Sequence, residues 1–109
     1  MSANTFTVIA HRGASAYAPE NTFAAFDMAL EMGCHHIELD ARLTRDSHVV
    51  VCHDETVDRT TNGSGKVDEL LVEDVRKLDA GSWKDARFLG EPIPTLDEVL
   101  EKYRGRAHL

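Results

Sequence analysis

Clustered positive charge is missing from this chain. Its 12 Lys and Arg stand against 19 Asp and Glu, giving a formal charge of −7, and the basic residues are scattered. Nucleic acid is thereby set aside as a partner, because a phosphate backbone needs grouped Lys and Arg. The overall field also opposes any anionic small molecule, so a local cation has to supply the attraction. No window approaches the ~18 consecutive apolar residues of a membrane span. Residues 1–7 lack a basic region followed by a long apolar core, so no secretory leader is legible. Cysteine is scarce: Cys34 and Cys52 stand alone, with no C-x-x-C spacing. That usage predicts two reduced, buried thiols and a cytoplasmic location. Repeats and low-complexity tracts are absent as well. The remaining composition, 42% hydrophobic and 28% charged over 109 residues, is that of one small globular domain.

What is present is a set of short apolar runs that deliver titratable residues at or near their ends. Residues 6–10 lead into His11-Arg12-Gly13, and the run predicts a strand buried on both faces. Asn21 or Thr22 then caps a helix that carries Phe23, Phe26, Ala29 and Leu30 at helical spacing and ends at Gly33. A second strand is predicted over residues 35–43. Strand, helix, strand in this order implies a right-handed crossover and a parallel sheet.

Arg45-Asp46-Ser47 forms a polar turn before a strand over residues 48–52. A parallel crossover needs about a dozen residues, so this short connection must be an antiparallel hairpin. It brings His53 roughly opposite Glu38. Residues 54–94 read as an excursion, a lid or small subdomain, with a helical pattern at Leu71, Val72, Val75 and Leu78. Trp83 and Phe88 are assigned to its core, with the lining of a substrate entrance as the alternative. The run 62–65 is no phosphate loop, lacking the Gly-Lys-Ser/Thr ending. A capping box at Thr95 and Glu98 opens a helix with Leu96, Val99, Leu100 and Tyr103 on one face, stopped near Gly105. Residues 106–109 look like the approach to another strand. Such a unit leaves a two-stranded parallel sheet with an open edge. The expectation is therefore the N-terminal portion of a larger protein, or a chain completed by self-association or by a C-terminal segment.

Glu38 and Asp40, two apart on a predicted strand, point to the same face. Adjacent carboxylates repel unless a cation lies between them, and an all-oxygen pair suits Mg²⁺ or Ca²⁺. The alternative is a surface charge beside a turn cap. His11 and His53 form a second pair, able to accept and donate protons near neutrality. Arg12 offers a fork for a phosphate oxygen, or else a salt bridge to Glu20 or Glu38. His35, His36, His48 and His108 receive no role.

The ordered set His11-Arg12-Gly13, Pro19-Glu20-Asn21-Thr22, Ile37-Glu38-Leu39-Asp40, Thr44-Arg45-Asp46, Val50-Val51-Cys52-His53-Asp54 and Arg59-Thr60-Thr61-Asn62-Gly63 resembles the N-terminal signature of the glycerophosphodiester phosphodiesterase family. Leu78-Asp79-Ala80-Gly81-Ser82-Trp83 is similar to it too, so the likeness covers nearly all of residues 1–109. The resemblance implies an α/β fold, a TIM-type (β/α)₈ barrel of which this chain carries the first βα units, with residues 54–94 as an inserted capping subdomain. It implies hydrolysis of glycerophosphodiesters to glycerol 3-phosphate and an alcohol, a step in glycerol and lipid metabolism. By the same resemblance Glu38 and Asp40 are metal ligands for Mg²⁺ or Ca²⁺, His11 and His53 are the acid–base pair, and Arg12 contacts the phosphate. The family's further metal-binding Glu falls on a strand beyond Leu109, so this length alone is expected to turn over substrate poorly. Two other readings stand beside this one: a phospholipase-type lyase that stops at a cyclic phosphate, and a noncatalytic assembly or binding fragment.

Overall fold

A computed structural model describes residues 8–109. The first strand, β1, is Ile9–His11, and Phe6 and Thr7 of its predicted span lie outside the described residues. Ile9 is 61% exposed, so β1 is not buried on both faces. The reason is topological. β1 pairs only with β2 among the described residues, and its other edge stays open.

Helix α1, Phe23–Glu31, begins where Thr22 accepts the Ala25 N–H and turns Phe26 and Ala29 inward. Gly33 closes it in the left-handed region, φ +84°. Its N–H returns to Leu30 and that of Cys34 to Ala29, the paired bonds of a Schellman ending. β2, His36–Glu38, follows and runs parallel to β1, with His11 in register with Glu38.

The strand predicted over residues 35–43 is interrupted. β2 ends at Glu38, and β3, Ala41–Leu43, pairs instead with β4, Val49–Val51, as the expected antiparallel hairpin. Leu39 and Asp40 form the break. The Asp40 N–H is drawn to Asn21 Oδ1 while its carbonyl takes the Cys52 N–H. The chain thus changes partner from β1 to β4 within two residues.

β4 then serves two cores through the two-residue period of a strand. Val50 joins Cys52, Val57, Val67, Val75, Ala80 and Ile93, a core supplied largely by residues 54–94. Val51 faces the other way, onto Phe26, Ala29, Ile37, Val99 and Tyr103. Within 54–94 the chain forms a 3₁₀ turn at Val67–Glu69, a short α2 at Val72–Arg76 and a second 3₁₀ turn at Ala86–Phe88. Its core is aliphatic. Trp83 is 37% exposed, its indole N–H donating to the Ala80 carbonyl, so it does not fill this core and lies at the surface.

α3, Leu96–Tyr103, opens on the Thr95–Glu98 capping box and buries Val99 and Tyr103. Leu100 is 47% exposed and falls off the face that periodicity assigns to it. The Tyr103 hydroxyl donates to Asp27, 2.8 Å away. Burial, and then that bond, push its pKa above the ordinary phenol range. Beyond Gly105 the chain reaches β2 again: Ile37 N–H donates to His108 O and His108 N–H to His35 O, both at 2.7 Å. This single parallel bridge agrees with the expected approach to another strand. Both cysteines are free, Cys52 buried and Cys34 only partly so. Burial raises the Cys52 thiol pKa. No helix among the described residues is long and apolar enough to cross a membrane.

Two expected outcomes test this packing. A Cβ on Gly81 would lie 1.9 Å from the Phe88 carbonyl oxygen and 2.8 Å from Glu91 Cβ. Gly81→Ala should therefore force the backbone apart and cost about 3 kcal/mol. Gly33→Ala meets open space and should cost only the left-handed penalty, about 1 kcal/mol. Urea denaturation of the two variants reads the difference, and equal losses would contradict the close approach.

The second outcome concerns pH. The Asp79 carboxylate accepts the Ser82 hydroxyl and the N–H groups of Gly81 and Ser82, which lowers its pKa to about 2. Its folded pKa lies below its unfolded one, so the stabilisation is complete above about pH 4 and is lost as pH falls through the folded value. The urea midpoint of the wild type should drop across that window more steeply than that of Asp79→Asn.

Candidate active site

The C-terminal ends of β1 and β2 lie side by side, and the parallel register carries their residues to one rim. His11 Nε2 is 3.5 Å from Glu38 Oε1, with both side chains largely in water. An exposed pair of this kind contributes little to stability. Its interest is placement: an imidazole and a carboxylate stand together where solvent and a ligand can reach them.

Arg12 follows β1 with φ 58°, a conformation unfavourable for a residue with a side chain. Two backbone bonds hold it there. Its N–H donates to the Glu38 carbonyl at 2.8 Å, and its own carbonyl accepts the Asn21 N–H at 2.9 Å. The guanidinium is thereby turned inward. Nη1 donates to Glu20 Oε2 at 3.2 Å, and Nε lies 3.4 Å from Asp40 Oδ2. That second contact is an ion pair without hydrogen-bond geometry, so Nε is a buried donor with no partner. Of the salt bridges that the sequence offers as an alternative role for Arg12, the one to Glu20 is present.

Asn21 is also left-handed, φ 57°, and its side-chain amide grips Asp40 twice. Nδ2 donates to Oδ2 at 3.2 Å and Oδ1 accepts the backbone N–H at 3.4 Å. Thr22 does the capping of α1, which leaves Asn21 free for this contact.

His53 arrives from the hairpin. Its carbonyl accepts Arg42 Nε at 2.8 Å, and its ring Nδ1 lies 2.7 Å from Asp54 Oδ1. Asp54 in turn receives Arg59 Nε and Nη2 at 2.9 and 3.1 Å, and Arg59 reaches both oxygens of Glu20 at 2.9 Å. The Arg59 bonds, and then that of His53, hold the Asp54 carboxyl well below the usual range. His53 makes no hydrogen bond or ion pair with His11, Glu38 or Asp40. A chain of contacts through Asp54, Arg59, Glu20 and Arg12 connects it to them.

The residues that sequence patterns leave without a site role are therefore Glu20, Asn21, Arg42, Asp54 and Arg59. Most sit on loops, where hydrophobic periodicity carries no signal. Their one trace is position, since all but Arg42 fall inside the family-like segments around Pro19, His53 and Arg59.

Glu38 and Asp40 offer hard oxygen donors of the type that Mg²⁺ and Ca²⁺ select. Among the described residues no third His, Cys, Asp or Glu joins them in a group able to hold an ion. The chemistry of each carboxylate suits a hard dication, because Mg²⁺ is commonly bound through one or two carboxylates together with phosphate oxygens and water.

The model of the glycerophosphoryl diester phosphodiesterase family matches residues 11–108. A glycerophosphodiester phosphodiesterase from Caldanaerobacter subterraneus subsp. tengcongensis is 60% identical over 94 residues, covering 86% of this chain and 39% of that protein. One from Bacillus subtilis is 40% identical over 116 residues, with 99% and 40% covered. Among solved structures, the glycerophosphodiester phosphodiesterase from Agrobacterium tumefaciens superposes with a TM-score of 0.92 at 52% identity, over 94% of this chain and 45% of that one. A phosphodiesterase from Oleispira antarctica, bound to the product sn-glycerol-3-phosphate, gives 0.85 at 43% identity, over 87% and 38%. This chain spans about two fifths of the length of these curated relatives. Its elements are the first βα units of a TIM-type (β/α)₈ barrel, and His11 and Glu38 stand at the C-terminal ends of β1 and β2, the end at which such barrels carry their sites. The chain belongs to the glycerophosphoryl diester phosphodiesterase family.

Proposed function

We propose that this chain contributes the first catalytic elements of an enzyme that hydrolyses glycerophosphodiesters to glycerol 3-phosphate and an alcohol. The observation that carries the reading is the joined rim of β1 and β2, where His11 stands against Glu38 and Arg12 against Asp40. Cleaving a phosphodiester needs two things: positive charge on the nonbridging oxygens, and a proton moved from nucleophile to leaving group. Both kinds of residue are placed at this rim or tied to it.

In this mechanism Arg12 binds a nonbridging oxygen. Its side chain keeps some exposure, and among the described residues its one side-chain hydrogen bond runs from Nη1 to Glu20, so other guanidinium N–H groups remain for a phosphate oxygen. Glu38 and Asp40 would hold a divalent ion, Mg²⁺ or Ca²⁺, which when bound supplies further positive charge to the phosphate. One histidine of the pair His11 and His53 takes the proton of the attacking oxygen, from water or from the neighbouring glycerol hydroxyl. The other returns a proton to the alkoxide as its P–O bond breaks. Residues 54–94 are read as a capping subdomain for this rim, a reading supported by the exposed Trp83 beside Arg59, which is tied to Arg12 through Glu20.

The test uses a chimaera in which residues 1–109 replace the matching part of the Caldanaerobacter enzyme. His11→Ala or His53→Ala in that chimaera should lower kcat for glycerophosphocholine by about 10²–10⁴-fold, the usual loss of an acid or base. The circular dichroism spectrum should be unchanged. Full turnover by either variant would end its acid–base role. Glycerol 3-phosphate as product supports hydrolysis to completion, whereas an accumulating cyclic phosphate would make the enzyme a lyase.

The second outcome concerns metal and length. EDTA should abolish turnover by the chimaera, and added Mg²⁺ or Ca²⁺ should restore it. The unextended 109-residue chain should turn over glycerophosphocholine poorly with either ion. Robust, chelator-sensitive turnover by that chain alone would contradict the need for further barrel strands.

A further inference from the structure

Arg59 lies in the segment after the hairpin, six residues beyond His53, and the mechanism above gives it no role. It could bind substrate phosphate like Arg12, or it could act on the protein. Its donors decide between these. A guanidinium has five N–H groups. In Arg59, Nε and one Nη2 hydrogen go to Asp54, while Nη1 and the other Nη2 hydrogen go to Glu20, at 2.9 to 3.1 Å. One N–H remains. Both of its forked edges are filled by carboxylates, so no edge is left for two-point binding of a phosphate. Arg12 is the opposite case, with Nη1 to Glu20 as its one side-chain hydrogen bond among the described residues.

The two carboxylates that Arg59 joins differ in kind. Glu20 has a side chain only 9% exposed and also receives Arg12, so it is a fixed anchor. Asp54 is more open and is bonded to the ring of His53. Arg59 itself is anchored in the second core: the turn that carries it includes buried Val57, whose carbonyl accepts both the N–H and the hydroxyl of Thr61. Trp83 stands beside the guanidinium, its ring centroid 5.9 Å from Cζ. Arg59 therefore bridges a rigid point and the group that touches the imidazole. A carboxylate kept ionised can only accept a hydrogen bond, so the proton shared with His53 sits on Nδ1. Nε2 is then the nitrogen left for chemistry.

We propose that Arg59 is a positioning residue: by holding Asp54 against Glu20 it sets His53 in the Nδ1–H tautomer and frees Nε2. This deepens the reading of His53 as an acid–base group and rests on it. The residue supplies orientation and not contact with substrate, and it gives the segment 54–94 a direct hold on the site.

The test reads the ring itself. Long-range ¹H–¹⁵N correlation spectra of the 109-residue chain report which nitrogen of His53 carries the proton. The wild type should show the Nδ1–H form as the majority. Arg59→Gln should reduce it to the minority while the amide spectrum shows an intact fold. An unchanged tautomer in folded Arg59→Gln overturns the proposal. If that variant does not fold, Arg59→Lys decides in the same way, because an ammonium keeps the charge but cannot fork onto two carboxylates. The readout needs no turnover, so the two ideas fail separately. A shifted tautomer beside full turnover by His53→Ala in the chimaera removes the acid–base role and leaves the orientation. An unmoved tautomer beside an inactive His53→Ala removes the orientation and leaves the acid–base role.

Discussion

One buried carboxylate holds this site together. Glu20 is nearly removed from water and accepts bonds from two arginines, Arg12 at the end of β1 and Arg59 in the segment beyond the hairpin. A buried carboxylate without partners is very unfavourable, and a single missing partner would leave an uncompensated charge. The three side chains therefore have to form together. Because they come from three separate stretches of chain, their joint formation brings the β1 rim, the loop before α1 and the segment 54–94 into one arrangement. The value of the cluster is specificity of position, since exposed ion pairs such as Arg59–Asp54 add little to stability alone.

Strain collects around the same point. Arg12 and Asn21 both adopt left-handed backbone angles without being glycine, and both address Asp40. Such angles cost about 1–3 kcal/mol each and persist only where surroundings over-determine them. The surroundings here do so. The Arg12 N–H is tied to Glu38, the Arg12 carbonyl to Asn21, and the Asn21 amide to Asp40. The strained residues thus lock the two loops to the backbone of Glu38 and to Asp40, and groups held in this way are preorganised.

The regular parts of this fold were legible from the sequence, and the reasons are local. The Thr95–Glu98 box, the Gly33 ending and the short connection that forces a hairpin each depend on a few adjacent residues. The break at Leu39 and Asp40 was not legible. An apolar alternation continues through it, and only the contacts with Asn21 and Cys52 from elsewhere in the chain divide the run. Trp83 deceived for a related reason. Its size argues for a core, but that core is filled by Val57, Val67 and Val75, and the indole stays at the surface and reaches only the Ala80 carbonyl at the core's edge. The five candidate residues could be singled out because strand ends are recognisable. The connection of His53 to the others runs through loop residues that have no period, so its route through Asp54, Arg59 and Glu20 was visible only in three dimensions.

This division follows from how a barrel is built. Strands bring residues to one rim and fix their order, because parallel pairing of β1 with β2 puts His11 and Glu38 at the same height. They do not fix orientation at that height. Each strand ends there, and the side chains beyond it answer to loops. β4 makes the point most clearly. Its alternating residues are spent on two different cores, Val50 on one and Val51 on the other, so its burial specifies where the chain exits and nothing about how the His53 ring is turned. That orientation has to come from polar contacts, and the contacts available are the carboxylates and guanidinium supplied by the neighbouring loops. In the mechanism proposed for His53, the segment 54–94 contributes such a group and acts on the ring without touching substrate. A rim built from strands alone would place the same residue types together and leave their hydrogen-bonding directions free.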